Sequence, residues 1–183
     1  KAPSMAIKVA LAAGMKIVIM GPPYNTGTFW EEVAPYIDNK QVFWIRGVDD
    51  EMKGKIMRRA KCFISSNRSG WTEHAGIVNF EALACGTPIL AFNCSDRPSA
   101  IWTDEIIQDG SEGFFLNYTT FEEEDSIIEK GVYLLNKMVN IKRSACRNQF
   151  ERRFTNTLAA RRYTYFYETI LKEGNVLSLD IPF

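Results

Sequence analysis

Five short runs rich in β-branched and aromatic residues, Lys16–Met20, Gln41–Arg46, Lys61–Ser66, Ile89–Asn93 and Gly113–Asn117, alternate with segments of helical pattern. Strands separated in this way are joined by crossovers, not by hairpins, and the economical solution is a parallel sheet with helices packed on it. The expected fold is therefore α/β, a doubly wound, Rossmann-like parallel sheet. In such sheets ligands sit outside the carboxyl ends of the strands. The loops at Gly21, Gly47, Asn67–Ala75 and Asn93–Pro98 all fall at that edge.

The connecting segments carry their own punctuation. Pro3 suits the first turn of a helix, Ile7, Ala10 and Leu11 recur at helical spacing, and Gly14 marks its end. A domain of this class usually opens on a strand, so a helix at the start predicts a further strand before Lys1. Thr28–Ala34 reads as a helix broken by Pro35. Asp49 is placed to cap a helix whose Met52, Ile56, Met57 and Ala60 form one apolar face. Thr119 or Thr120 is the expected cap of a later helix, with Glu122–Asp125 in its first turn and Ile127, Ile128, Leu134, Leu135 and Met138 on its buried face. The acid run reads as a solvated helix end, not a metal site. From Ile141 the chain is basic and helical, and Tyr163, Phe166, Tyr167, Ile170 and Leu171 make an aromatic stripe beside Arg161 and Arg162. Core packing is the commoner use of such a stripe, and contact with a membrane surface is another.

Size and composition bound the rest. A chain of 183 residues is one domain, taken here as 1–171 with a tail at 172–183. Its 22 Lys and Arg balance 22 Asp and Glu, which gives no reason to expect a nucleic-acid partner. Cys62, Cys85, Cys94 and Cys146 are unevenly spaced without a C-x-x-C pair and read as reduced core residues. No apolar run approaches the ~18 residues of a membrane span, and no signal-peptide pattern opens the chain. A cytoplasmic protein, at most peripheral to a membrane, is expected.

The chemistry concentrates in Gly70–Pro88, G-W-T-E-H-A-G-I-V-N-F-E-A-L-A-C-G-T-P. A polar loop gives way near Gly76 to a short helix that Gly86 and Pro88 close. Glu73 sits just outside the helix start and Glu81 roughly one and a half turns inside it. A helix N-terminus offers unpaired N–H groups and partial positive charge, and the small Ala75 and Gly76 let a ligand approach the backbone. Phosphates at the helix start and hydroxyls on the flanking carboxylates describe a nucleotide sugar. Two other readings stay open. A glycosidase would need the two carboxyls ~5 to 9.5 Å apart across one bond; alternatively Glu73 complements a helix dipole and Glu81 pairs with a surface cation. His74, Arg68 and Arg97 are loop residues near the same edge.

Glu73, seven intervening residues and Glu81, with Gly76-Ile77-Val78 between and Glu81-Ala82-Leu83-Ala84-Cys85-Gly86-Thr87-Pro88 after, resemble the E-x7-E signature of retaining glycosyltransferases of the GT-B fold (group 1, family 4). The resemblance extends over Lys1–Leu171 and is strongest from Arg46 to Pro88. Ala75 departs from it, standing where the family usually has an aromatic. Ala2 replaces a glycine, and Ser95–Asp104 is longer than the family's stretch and lacks its glycines.

This resemblance implies one lobe of a GT-B fold, the C-terminal donor-binding domain, its first strand preceding Lys1. It implies a metal-independent, retaining hexosyltransferase that takes a nucleotide diphosphate sugar as donor and uses no further cofactor. The acceptor, a glycan, lipid or small molecule, would be held with an N-terminal domain, without which this lobe would turn over little. By the same resemblance Glu73 meets donor-sugar hydroxyls near the reacting centre, Lys1 holds the diphosphate, and the backbone of Ala75, Gly76, Ile77 and Val78 lies by sugar or phosphate. Glu81 binds the ribose diol, and Gly47 and Val48 meet the base. A sugar-nucleotide epimerase and a non-catalytic nucleotide- or protein-binding module are the competing expectations.

Overall fold

The computed structural model describes residues 3–23, 26–66, 76–96 and 106–173. All five apolar runs are strands: β1 (Ile17–Met20), β2 (Val42–Ile45), β3 (Phe63–Ser65), β4 (Ile89–Cys94) and β5 (Gly113–Tyr118). The helices are α1 (Pro3–Ala12), α2 (Thr26–Glu32), α3 (Asp50–Arg59), α4 (Ile77–Ala84), α5 (Glu124–Lys137), α6 (Arg143–Arg153) and α7 (Asn156–Glu173). Every strand pairing is parallel, as crossovers require. The strands fall into two sheets, β1-β2 and β3-β4-β5, whose edges β1 and β3 line a common cleft.

Helices cover both faces. On one, α1 divides its apolar residues between two cores. Ile7 joins Phe29, Val33 and Val42 over the small sheet, and Val9 joins Leu116 and Leu135 over the large one. An ion pair from Lys8 Nζ to Glu124 Oε1, 2.7 Å, fastens α1 to α5. On the other face α3, α4 and α6 are tied by hydrogen bonds to helix ends. The Thr87 hydroxyl donates to the Met57 carbonyl at 2.6 Å, and the Arg143 guanidinium donates to the carbonyls of Ala60 and Arg58, each at 2.8 Å. Gly86 makes this approach possible: its φ is +64°, and a Cβ there would sit 3.0 Å from the Arg143 carbonyl oxygen.

Local signals act as expected in two places. The Asp49 carboxylate caps α3, accepting from the Met52 N–H at 2.7 Å. Pro35 does end regular helix, but α2 stops at Glu32 and Pro35 lies in a 3-10 turn, Ala34–Tyr36.

Elsewhere tertiary contacts override them. Neither Thr119 nor Thr120 caps α5. The cap position is Glu123, with no side-chain bond, and Thr120 is drawn instead to Asp96, which accepts from both its N–H and its hydroxyl. Only Glu124 and Asp125 of the acid run lie in the first turn; Glu122 precedes it, accepts from the Ser126 hydroxyl at 2.7 Å and pairs with Lys130. The aromatic stripe of α7 is not core either. Tyr163 and Tyr167 are about two-thirds exposed and stack on each other at 6.2 Å, and Leu171 is almost fully exposed. The helix also runs to Glu173, past the boundary expected at 171. None of the four cysteines is in a disulfide among the described residues; Cys94 and Cys146 are buried and Cys62 and Cys85 half-buried, and desolvation pushes the Cys62 thiol up to about 12 and the Cys146 thiol up to about 11. Among the described residues no helix is long and apolar enough to cross a membrane.

Candidate functional site

The carboxyl ends of β1, β2 and β3 open into one cleft of about 990 Å³. Gly21 and Pro22 bring the loop after β1, and the indole N–H of Trp44 anchors that loop by donating to the Gly21 carbonyl at 3.0 Å. Arg46, Gly47 and Val48 follow β2, and Ser65 and Ser66 close β3. Opposite them stands the start of α4, with Gly76 and Val78 in the wall.

Gly76 is the cap of α4 and has φ 53° and ψ 72°. That left-handed conformation strains any residue with a Cβ, so the glycine turns the chain into the helix while its carbonyl accepts from the Asn79 N–H at 2.7 Å. The first N–H groups of a helix have no intrahelical partner, and α4 begins at the cleft wall, where Gly76 and Val78 stand. Ile77 is three-quarters exposed and sends its side chain to solvent. Buried Asn79 also lines the cleft, and its Oδ1 has no hydrogen-bond partner among the described residues.

Glu81, on the same helix, does not stand free. Lys53 Nζ reaches its Oε1 at 2.7 Å and Asp50 Oδ1 at 2.9 Å. The hydrogen bonds to Glu81, first, and to Asp50 raise the proton affinity of Lys53 and keep it charged. A carboxylate has two oxygens and several lone pairs, so a cation on one oxygen leaves capacity for a hydroxyl. Lys53 lines the cleft and Glu81 does not, so Glu81 is connected to the cleft through this ion pair.

Of the residues singled out in the sequence, Gly47, Val48, Gly76 and Val78 meet in one cleft, and Glu81 joins them through Lys53. Lys1, Glu73 and Ala75 lie outside the described residues, as do Arg68, His74 and Arg97. Sequence reasoning left the cation beside Glu81 unnamed and passed over Asn79. Lys53 lies one turn into the helix that follows the Gly47 loop, a position that faces the site once that loop is assigned to it.

The chain matches the model of the family glycosyl transferases group 1 over residues 5–140, and it belongs to that family. A search of curated proteins found no significant sequence match. Solved glycosyltransferases share the fold. AviGT4, a glycosyltransferase involved in avilamycin A biosynthesis, is 22% identical with a TM-score of 0.70 over 94% of this chain and 48% of its own. The pneumococcal O-GlcNAc transferase GtfA, solved with UDP and GlcNAc, is 16% identical with a TM-score of 0.66 over 92% of this chain and 32% of its own. Anabaena HepE, solved with UDP, is 16% identical with a TM-score of 0.64 over 90% of this chain and 44% of its own. The chain thus spans about half the length, or less, of the solved proteins it matches, and its architecture is that of a GT-B lobe.

Proposed function

We propose that this chain binds the donor of a glycosyl transfer, a nucleoside diphosphate sugar, at the carboxyl edge of its sheets. It would be the donor lobe of a retaining, metal-independent hexosyltransferase whose acceptor is held with a second domain. One observation carries the reading: Gly47 and Val48, Gly76 and Val78 at the start of α4, and Lys53, the ion-pair partner of Glu81, converge on a single cleft.

In this reading the base lies against Gly47 and Val48, and the ribose diol donates to Glu81, whose carboxylate is oriented by Lys53. The diphosphate lies toward the N-terminus of α4, where unpaired N–H groups and the helix dipole favour anions. Lys1 supplies a cation to it, Glu73 and the backbone of Ala75 meet the sugar, and Ile77 contributes only its N–H. Charge that develops on the leaving diphosphate is stabilised by preformed donors, the oxyanion-hole principle applied to phosphate.

Calorimetric titration of a panel of nucleoside diphosphate sugars into the chain tests this directly. One of them should bind, and Glu81→Ala should weaken it about tenfold or more, the cost of removing a charge-assisted hydrogen bond. Absence of binding across the panel, or unchanged affinity in Glu81→Ala, would overturn the assignment.

A further inference from the structure

Charge in the cleft is one-sided. Lys16, Arg46, Lys53, Arg59 and Lys61 line it, and among the described residues no aspartate or glutamate does. Most of these cations are remote from the donor site or already engaged. Lys16 and Lys61 precede β1 and β3, at the amino ends of the strands, and Arg59 closes α3 on that same side. Lys53 lies toward the carboxyl edge but is committed to Glu81 and Asp50. That leaves Arg46, which directly follows β2, is exposed, and makes no hydrogen bond or ion pair among the described residues. Its place in the site narrows what it meets. Arg46, Gly47 and Val48 are consecutive on the β2 side of the mouth, whereas α4, whose N-terminus suits the diphosphate, follows β3. Between them β1 is paired to β2 and not to β3, so β2 and β3 stand about two strand spacings of ~4.8 Å or more apart. A nucleotide with its phosphates at α4 therefore turns its base toward Arg46. Gly47 contributes no side chain and the space beside it is open, so a flat ring can lie against that backbone, and half-buried Val48 offers it an apolar surface.

We propose that Arg46 is the residue that sets base specificity in this chain, selecting nucleotides whose base carries an oxo group, at C4 of a pyrimidine or C6 of a purine, over those that carry an amino group there. Uracil and guanine belong to the first class, cytosine and adenine to the second. A guanidinium only donates hydrogen bonds and has no acceptor. Its planar fork matches O6 and N7 of guanine, and O4 of uracil is an acceptor of the same kind. An amino group in that place turns its own N–H toward those of the arginine. The contact is then lost, and both donors give up water for nothing. The inference rests on the donor-site reading above and adds to it the class of nucleotide that the site takes.

Calorimetric titration of UDP, GDP, ADP and CDP into the full chain, and into Arg46→Met and Arg46→Lys, tests it. These probes share the ribose and the diphosphate and differ only in the base. UDP or GDP should bind about tenfold or more tighter than ADP and CDP, the discrimination that one well-made arginine–base contact supplies, and the same titration tells uracil from guanine. Because Arg46 is exposed, neither substitution disturbs packing. Arg46→Met should abolish the preference by weakening the oxo-base diphosphate alone. Arg46→Lys should restore only part of it, since an ammonium is a point charge without the planar fork. Equal binding of the four, tighter binding of ADP or CDP, or a preference that survives in Arg46→Met would overturn the proposal and leave the donor site standing. So would an equal loss for all four in Arg46→Met, which would assign Arg46 to the phosphates or to stacking on any base. Failure of all four to bind would remove the donor site itself, and this proposal with it.

Discussion

The β3-β4-β5 half and the β1-β2 half are built from strands of similar composition, yet they are held very differently. In the larger half β4 has a parallel neighbour on each side, and Ile89, Leu90, Leu116 and Leu135 are at most 1% exposed. In the smaller half the buried core, among the described residues, comes down to Ile7, Phe29, Val33 and Val42. Its aromatic neighbours are only partly covered: Phe29 meets Trp44 at 4.6 Å, but Trp30 is 58% exposed. A β-branched run forms a strand in either setting; how firmly depends on what lies beside it. Since α1 contributes Ile7 to one core and Val9 to the other, this helix couples the halves, and the candidate site lies across the seam it bridges.

Core truncations should separate the halves most clearly. Leu116→Ala should cost ~2–5 kcal/mol, as expected for a fully buried leucine, and lower the midpoint of denaturant unfolding for every probe. Val42→Ala, which removes less apolar volume from a smaller core, should cost ~1–2 kcal/mol. Its effect should appear first as faster amide exchange in β1 and β2, with the β4 amides little changed. If Val42→Ala lowers protection in β1 and β4 alike, the halves unfold as one unit and the contrast between them is only one of size.

Next in size is Arg143, which joins α6 to the last turn of α3, the helix that carries the chain from the small half into the large one. Its guanidinium donates to the Arg58 and Ala60 carbonyls and to the Thr87 hydroxyl. Arg143→Ala should cost ~1–3 kcal/mol by leaving those acceptors without a charged donor. Arg143→Lys should recover only part, because an ammonium lacks the planar fork that serves several acceptors at once. Full recovery by lysine in thermal denaturation would mean that the charge matters and the geometry does not.

What the sequence disclosed follows the range of the interactions concerned. All five strands were legible because β-branched runs are local, and so was the Asp49 cap, whose donor is three residues away. The division into two sheets was not legible, since pairing is decided by partners far along the chain. Lys53 and Glu81 are 28 residues apart, and nothing in either neighbourhood announces the pair. Thr120 was a reasonable cap by its local surroundings, but the helix begins later, at Glu124, and the Thr120 N–H and hydroxyl both donate to the carboxylate of Asp96, 24 residues away. The α7 stripe shows the remaining case: helical periodicity of aromatics establishes that a face is apolar, and it carries no information about what the face meets.

The smallest effect expected is also the one confined most tightly to one half. Asp38 stands at the entry to β2, where its Oδ1 accepts from the N–H groups of Lys40, Gln41 and Val42 at 2.8–2.9 Å. Those three bonds hold its carboxyl well below the usual range, at about 2 instead of 3.8. Because the folded value lies below the unfolded one, the stabilisation is fully present above the unfolded value and is lost as the pH falls toward about 2. Asp96, at the end of β4, also lies at about 2, held by the Thr120 hydroxyl and then by Cys94, so it reports the larger half over the same window. Asp38→Asn should flatten the acid dependence of amide protection in β1 and β2, and Asp96→Asn should flatten it in β4 and β5. An unchanged acid dependence in Asp38→Asn would show that the carboxylate does not hold the turn into β2. If each variant alters the acid response of both sheets equally, α1 couples them too tightly for either carboxylate to act locally.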